Sequence, residues 1–379
     1  MSYCIACRTE LPKEALFVLE NAPASAQNIP DAKEVGEDKG ITLNLRQCPE
    51  CGLVQFDCTP VDYYRDVIRA GGFSTTMTEL RRRQYKHLIE TYGLEGKKFI
   101  EVGCGRGEFI NVLREFPETP DQKFMGDPTV EGSEGPYDAF LSFNFLEHQP
   151  YPDVMLSAIY NNLVDGGMGL VTVPALEYIV ERGNYYELIR DHIAYYSFDA
   201  LRNLLENNGF KVLEEEMINR DTISMIVQKM SAEERADHAE KRSAEKSVAE
   251  ETDENIVASL VKGHEIVLND INHLLDELAA EQKTIALWGA SHQGFTLAST
   301  TPLCERVSYI IDSAPFKQGR FAPASHLPIV APDHFLEHPV DVIMIVAPGY
   351  SDEIAGVIRT RFGEDVRILT LRSERIEEL

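Results

Sequence analysis

The sequence predicts an α/β protein: two Rossmann-like units with mostly parallel sheets, preceded by a small cysteine-rich module. Three observations carry this reading. Phe99 to Phe109 runs as a strand, a glycine turn and a helix start. A second run of the same kind begins at Thr284–Trp288 and turns at Gly289. Two C-x-x-C pairs, Cys4 with Cys7 and Cys48 with Cys51, stand ahead of both. Strands alternating with helices make a sheet that is covered by helices.

Bulk properties narrow the class. A chain of 379 residues suggests two or three domains, and a hydrophobic content of 44% can fill ordinary cores. The longest apolar runs, such as Val342–Ala347, have the length of strands and fall far short of the roughly 20 residues of a membrane span. Charged residues follow Met1-Ser2-Tyr3-Cys4 closely, so no secretion signal is expected and a cytoplasmic location is. A net charge of −26 repels phosphate backbones and argues against a nucleic-acid partner. A monomer or homodimer is expected, acting on a small molecule. Seven cysteines without a secretion signal favour metal ligation over disulfides.

Each element follows from local pattern. Lys98–Val102 reads as a strand, with a helix from Phe109 after the glycine turn. Asp138–Phe143 is a second strand. Tyr151–Leu163 reads as a helix that ends at a turn, Asp165-Gly166-Gly167. Met168–Val173 is a strand closed by Pro174, and Phe198–Asn208 is a helix capped by Ser197 or Asp199. Lys211–Glu215 and Thr222–Gln228 read as a closing strand pair. Ser231–Glu281 has no proline and one glycine, Gly263, so it reads as helical, exposed at first and packed later through Ile256, Leu260, Ile266, Leu268 and Leu274. The second unit then runs through strands Thr284–Trp288, Val307–Asp312, Val340–Val346 and Arg367–Leu371, with a helix over Asp352–Phe362. The domain boundaries expected are 1–62, 63–230, a helical linker 231–283, and 284–379.

The cysteine pairs are the most specific local signal. Each knuckle places two thiolates on one turn. Two knuckles supply the four soft ligands of a closed tetrahedral zinc site, which is structural because no position is open. Cys4, Cys7, Cys48 and Cys51 are the expected ligands, and Cys58 a buried neighbour.

The turn Gly103-Cys104-Gly105-Arg106-Gly107 is spaced G-x-G-x-G, unlike the G-x-G-x-x-G of dinucleotide folds. Its glycines allow positive φ and close backbone approach. Glu101, just before the turn, can hold a positively charged amino group. That suits the amino-acid end of S-adenosylmethionine (SAM). Gly103, Gly105, Gly107, Phe143 and Asn144 complete the expected cofactor contacts. About thirty residues separate Gly107 from Asp138, room for one strand at Lys123–Gly126. Either Asp127 is the acid that accepts the ribose hydroxyls and the next helix–strand unit is missing, or the second strand itself is lost.

In chain order, the paired knuckles, the Glu101–Gly107 loop, Asn144-Phe145-Leu146-Glu147-His148, Asp191-His192-Ile193-Ala194-Tyr195-Tyr196-Ser197, and Gly289-Ala290-Ser291-His292-Gln293-Gly294 with Asp312 and Lys317-Gln318-Gly319-Arg320 form one pattern. It resembles the SAM-dependent sugar C-methyltransferases of deoxysugar and natural-product biosynthesis, over nearly the whole chain. The resemblance implies a zinc module, a class I SAM methyltransferase domain (here shortened) and a C-terminal Rossmann-like domain. It implies C-methylation at C3 of a nucleotide-linked 4-keto-6-deoxy sugar, with His192 as the base, His148 holding the keto or enolate oxygen, and Asp191 beside the base.

The chain departs from that family in two places. The motif before the base, usually like Tyr-x-Glu-His, reads Ile189-Arg190-Asp191-His192. The aromatic stretch ahead of the SAM domain begins at Tyr63-Tyr64 and has Ile68 or Arg69 where a tyrosine is expected. A methyltransferase of the same architecture acting on another small metabolite at oxygen, nitrogen or carbon is therefore a second reading, and a scaffold that no longer holds cofactor a third. Arg69 and Arg190 read as surface charges or as anion ligands, and Lys317 and Arg320 as solvated or as reaching a substrate phosphate. The spacing of Gly289–Gly294 is wrong for NAD.

Overall fold

The structure, a computed structural model, describes residues 2–63, 75–105, 107–116, 123–125, 135–244 and 253–379. Strands β1 (Phe17–Ala22), β2 (Ile41–Gln47) and β3 (Val54–Phe56) follow the first knuckle. Helix α1 (Thr75–Tyr92) leads into β4 (Phe99–Val102), α2 (Glu108–Leu113), β5 (Lys123–Met125) and β6 (Tyr137–Phe143). Next come α3 (Pro152–Asn161), β7 (Leu163–Pro174), α4 (Leu176–Arg182), β8 (Ala194–Tyr195), α5 (Phe198–Asn207), β9 (Phe210–Ile218) and β10 (Thr222–Lys229). Helices α6 (Ala232–Ala244) and α7 (Asp253–Ala280) lead to β11 (Ile285–Trp288), α8 (His292–Thr300), β12 (Val307–Ile311), β13 (Ile329–Val330), α9 (His334–Glu337), β14 (Val342–Ile345), α10 (Ser351–Phe362), β15 (Arg367–Leu371) and β16 (Ile376–Glu378).

Local chemistry explains the ends of several elements. Ser197, not Asp199, caps α5 by accepting from the Ala200 N–H at 3.1 Å. Ser291 caps α8 in the same way at Gly294. Gly183 ends α4 with a positive φ of 60°, and a Cβ on Gly263 would lie 2.2 Å from its carbonyl oxygen. The single glycine of the long helical segment is thus where α7 crosses the end of α4.

The central sheet has the order β5-β4-β6-β7-β10-β9, and β10 alone runs antiparallel to both its neighbours. One face packs against α1 and α2 through Tyr85, Leu88, Phe109 and Ile110. The other packs against α3 and α5 and, through Cys4, Leu11, Cys48 and Leu53, against the cysteine knuckles. The third sheet, β13-β12-β11-β14-β15-β16, is parallel except for β16. It shares one core with α7 and with the N-terminal strands.

Three expectations change. The N-terminal sheet is completed by β8: Val54 pairs with Tyr195 and Gln55 with Ala194. The cysteine module is therefore closed by strand residues that directly follow His192. Asp165-Gly166-Gly167 does not end a helix; it lies inside β7, where positive φ at Gly166 makes an irregularity in the pairing with β6. Residues 232–240 of α6 are largely exposed, whereas Ile256, Leu260, Val267, Ile271 and Leu274 bury one side of α7; Ile266 and Leu268, expected to pack, are only half-buried because the helix turns Val267 inward between them.

Candidate active site

The glycine turn leaves β4 with φ of +77° at Gly103, +54° at Gly105 and +85° at Gly107. A Cβ on Gly103 would lie 2.2 Å from the Phe145 ring, so this position requires glycine on two counts. Glu101 is buried at the end of β4 with one carboxyl oxygen unpartnered. Burial pushes its pKa up to about 8, against the lowering charge of Arg81.

Asn144, at the end of β6, holds a positive φ of 47°. Its N–H donates to Thr172 O at 2.8 Å and its side-chain oxygen accepts from the Thr172 hydroxyl at 3.1 Å. Phe143 faces inward, packed on Phe109 and Tyr85, and forms a wall behind the turn. Asp127 lies outside the described residues. Strand β5 is present beside β4, and the described residues contain no strand beyond it. That fits the absence of a helix–strand unit and not the loss of the second strand.

The two histidines meet where the turn after β6 faces the segment ahead of β8. Their rings stand edge-to-face with centroids 4.7 Å apart. His148 is buried, and its Nδ1 lies 2.6 Å from Asp191 O. A carbonyl can only accept, so Nδ1 carries the proton and Nε2 presents a lone pair. Burial lowers His148 to about 4. Burial, and then the charges of His148 and His292, hold His192 well below the usual histidine range. Both imidazoles are neutral near pH 7. Glu147 Oε1 lies 3.8 Å from His148 Nε2, its other oxygen is unpartnered, and burial raises it to about 8.

Asp191 does not hydrogen-bond the ring of His192. One carboxylate oxygen accepts from the Tyr63 hydroxyl and the other from the Ala26 N–H at 2.9 Å. It acts by position, tying the histidine segment to the N-terminal module while its carbonyl orients His148. Tyr63 also meets Ser25 Oγ at 2.6 Å. Sequence reasoning assigned Tyr63 no role, because its partner is 128 residues away.

Arg190 is not a free anion ligand; it donates to the carbonyls of Thr59 and Ala24 at 2.9 and 3.0 Å. Lys317 donates to Ala290 O at 2.8 Å and pairs with Asp312 at 3.1 Å, and Arg320 donates to Ile29 O at 2.7 Å. Arg69 lies outside the described residues. At the start of α8, Glu187 accepts from Gln293 Nε2 at 2.5 Å and lies 3.3 Å from His292 Nε2. A carboxylate of the central unit thus sits at the glycine turn of the third sheet. A crevice opens beside it where Pro23 and Ala26, Ile189 and Asp191, and His292 and Phe295 meet.

The four cysteine sulfurs converge. Cys4 Sγ lies 3.6 Å from Cys51 Sγ and Cys7 Sγ 3.4 Å from Cys48 Sγ, with all four within 4.8 Å of one another. Tetrahedral ligands at about 2.3 Å from a metal stand roughly 3.8 Å apart, close to this spacing. Hydrogen bonding among the four lowers Cys7 and Cys48 and raises Cys4 and Cys51. Cys58 lies apart, next to Arg190.

Residues 77–215 match a methyltransferase domain, and residues 221–367 match a C-methyltransferase C-terminal domain. C-methyltransferase NovU of Streptomyces niveus is 26% identical over 369 residues, covering 88% of this chain and 87% of NovU. Among solved structures, magnesium protoporphyrin IX methyltransferase ChlM from Synechocystis PCC 6803, with bound S-adenosylhomocysteine, is 15% identical over 42% of this chain and 90% of its own, with a TM-score of 0.32. N-methyltransferase NodS from Bradyrhizobium japonicum WM9 is 12% identical over 42% and 99%, with a TM-score of 0.30. No helix among the described residues is long and apolar enough to cross a membrane. With both domain matches in chain order and a C-methyltransferase alignable over most of its length, the chain is a SAM-dependent methyltransferase that resembles the C-methyltransferases.

Proposed function

We propose that this enzyme methylates the carbon next to the keto group of a nucleotide-linked 4-keto-6-deoxy sugar, with His192 as general base. The neutral His148–His192 pair, buried at His148 and half-buried at His192, carries this reading. A carbon acid needs a base in its proton-accepting form and a partner for the oxygen that becomes negative. Glu101 and the glycine turn would hold SAM, which would supply an electrophilic methyl group and leave as S-adenosylhomocysteine once its methyl–sulfur bond breaks. His192 takes the proton from the carbon. The C–H electron pair passes into the enolate and then forms the new C–C bond.

His148 lines the site beside His192 with its Nδ1–H committed to Asp191 O, so its Nε2 can only accept. The protonated carboxyl of Glu147, next to the His148 ring, is the donor available to the enolate oxygen. Cys4, Cys7, Cys48 and Cys51 would hold one structural zinc ion, with no open position for substrate. Incubation with methyl-labelled SAM and 4-keto-6-deoxy sugar nucleotides tests the reaction by mass spectrometry. Label on a sugar carbon supports it; label on oxygen or nitrogen of another acceptor, with keto sugars inert, assigns a different substrate.

A further inference from the structure

We infer that Arg81 is the ligand for the carboxylate of the methionine portion of the cofactor. The inference rests on the SAM reading above and extends it to a residue that the glycine-loop pattern does not include. Arg81 lies on α1 and its side chain has 0% exposure. Its guanidinium is 3.8 Å from the centre of the Phe143 ring and 4.8 Å from that of Phe109. Phe143 immediately precedes Asn144, and Phe109 follows Gly107 by two residues. Arg81 is therefore placed where the end of β6, the start of α2 and Glu101 of β4 converge.

The guanidinium is held but not neutralised. It donates to Gln84 Oε1 at 2.5 Å and reaches Thr172 Oγ1 at 3.4 Å, while its Nε has no partner. Thr172 is also the residue that fixes Asn144. Among the described residues Arg81 forms no ion pair. Glu101, the acid whose charge acts on it, is held largely neutral by burial. A buried cation with no anion is costly and is retained where an anion arrives. The amino-acid end of SAM brings both signs: an ammonium for Glu101 and a carboxylate for Arg81. Arginine suits a carboxylate because its planar fork presents parallel donors.

The test is isothermal titration of zinc-loaded protein with S-adenosylhomocysteine and with its descarboxy counterpart, S-adenosyl-3-thiopropylamine. A charge-assisted contact predicts that the wild type binds the descarboxy ligand roughly 10- to 100-fold more weakly. Arg81→Gln should weaken S-adenosylhomocysteine by a similar factor and leave the descarboxy ligand unchanged, so the ratio falls to about one. A merely structural arginine would weaken both ligands alike. The wild-type comparison stands even if Arg81→Gln folds poorly, and Arg81→Lys, which keeps the charge, should retain part of the ratio. Equal affinity of the wild type for both ligands overturns the assignment of Arg81 alone. No affinity for either overturns the cofactor reading together with it.

Discussion

Glu101 makes cofactor binding depend on pH in a direction that can be worked out. Burial raises its pKa to about 8 in the free protein, so near neutrality it is mostly protonated. Contact with an ammonium requires the carboxylate, so binding below pH 8 must expel a proton. From a pKa of about 8, roughly 0.3% of Glu101 is ionised at pH 5.5 and about 9% at pH 7. Affinity for S-adenosylhomocysteine should therefore rise about 30-fold over that interval, or about 2 kcal/mol. The ligand's own ammonium stays charged throughout. Calorimetric titration in two buffers of different ionisation enthalpy should report release of close to one proton per site at pH 6. Glu101→Gln should bind more weakly and with a flat pH response. Flat affinity in the wild type, with no buffer-dependent heat, would refute the role of Glu101 as the ammonium ligand.

Other outcomes follow from the same geometry. His192→Ala should abolish turnover and leave S-adenosylhomocysteine affinity within about twofold if, as proposed, the ring serves the acceptor and not the cofactor; unchanged turnover removes His192 as base. Metal analysis should find about one zinc per chain, and Cys48→Ser should lower the melting temperature, because Cys48 lies in the core shared with the central sheet. Gly103→Ala should cost about 2–5 kcal/mol in denaturant unfolding and abolish cofactor binding, because a methyl group meets Phe145 and the backbone is left-handed. His148 is lowered to about 4, so below pH 6.5 the unfolded chain binds a proton that the folded chain refuses. Stability should therefore fall as pH drops from 6.5 to 4, by about 3 kcal/mol for this group, and less steeply in His148→Gln.

Local pattern and tertiary context divide what could be read in advance. The knuckles, the glycine turns and most strands are written in short spacings, because their chemistry is local: a turn, a positive φ, an apolar run. The shortened sheet was visible as a count of residues, and β5 decides between its two explanations. The cap of α5 needed only one of two adjacent candidates to be chosen. Asp165-Gly166-Gly167 misled because glycine marks bulges as well as turns, and only pairing with β6 separates the two. The tie between Asp191 and Tyr63 spans 128 residues and leaves no periodic trace. Its result is that the Tyr63 phenol reaches, from the N-terminal side, the carboxylate that stands next to His192 in the chain. Arg81 is hidden in a run of three arginines, where only the helical spacing of Leu80, Gln84, Tyr85 and Leu88 marks which one faces inward. β8 is a two-residue strand, too short for any pattern, and it fastens the histidine segment to the cysteine module.

The base assignment can be isolated from methyl transfer. A 4-keto-6-deoxy sugar nucleotide is incubated with the zinc-loaded enzyme and S-adenosylhomocysteine in deuterated water, and the C3 proton is followed by NMR. Wild-type enzyme should exchange that proton for deuterium while His192→Ala, still binding S-adenosylhomocysteine, should not. Retention of the C3 proton with the wild type, or equal exchange in both proteins, would contradict enolate formation by His192.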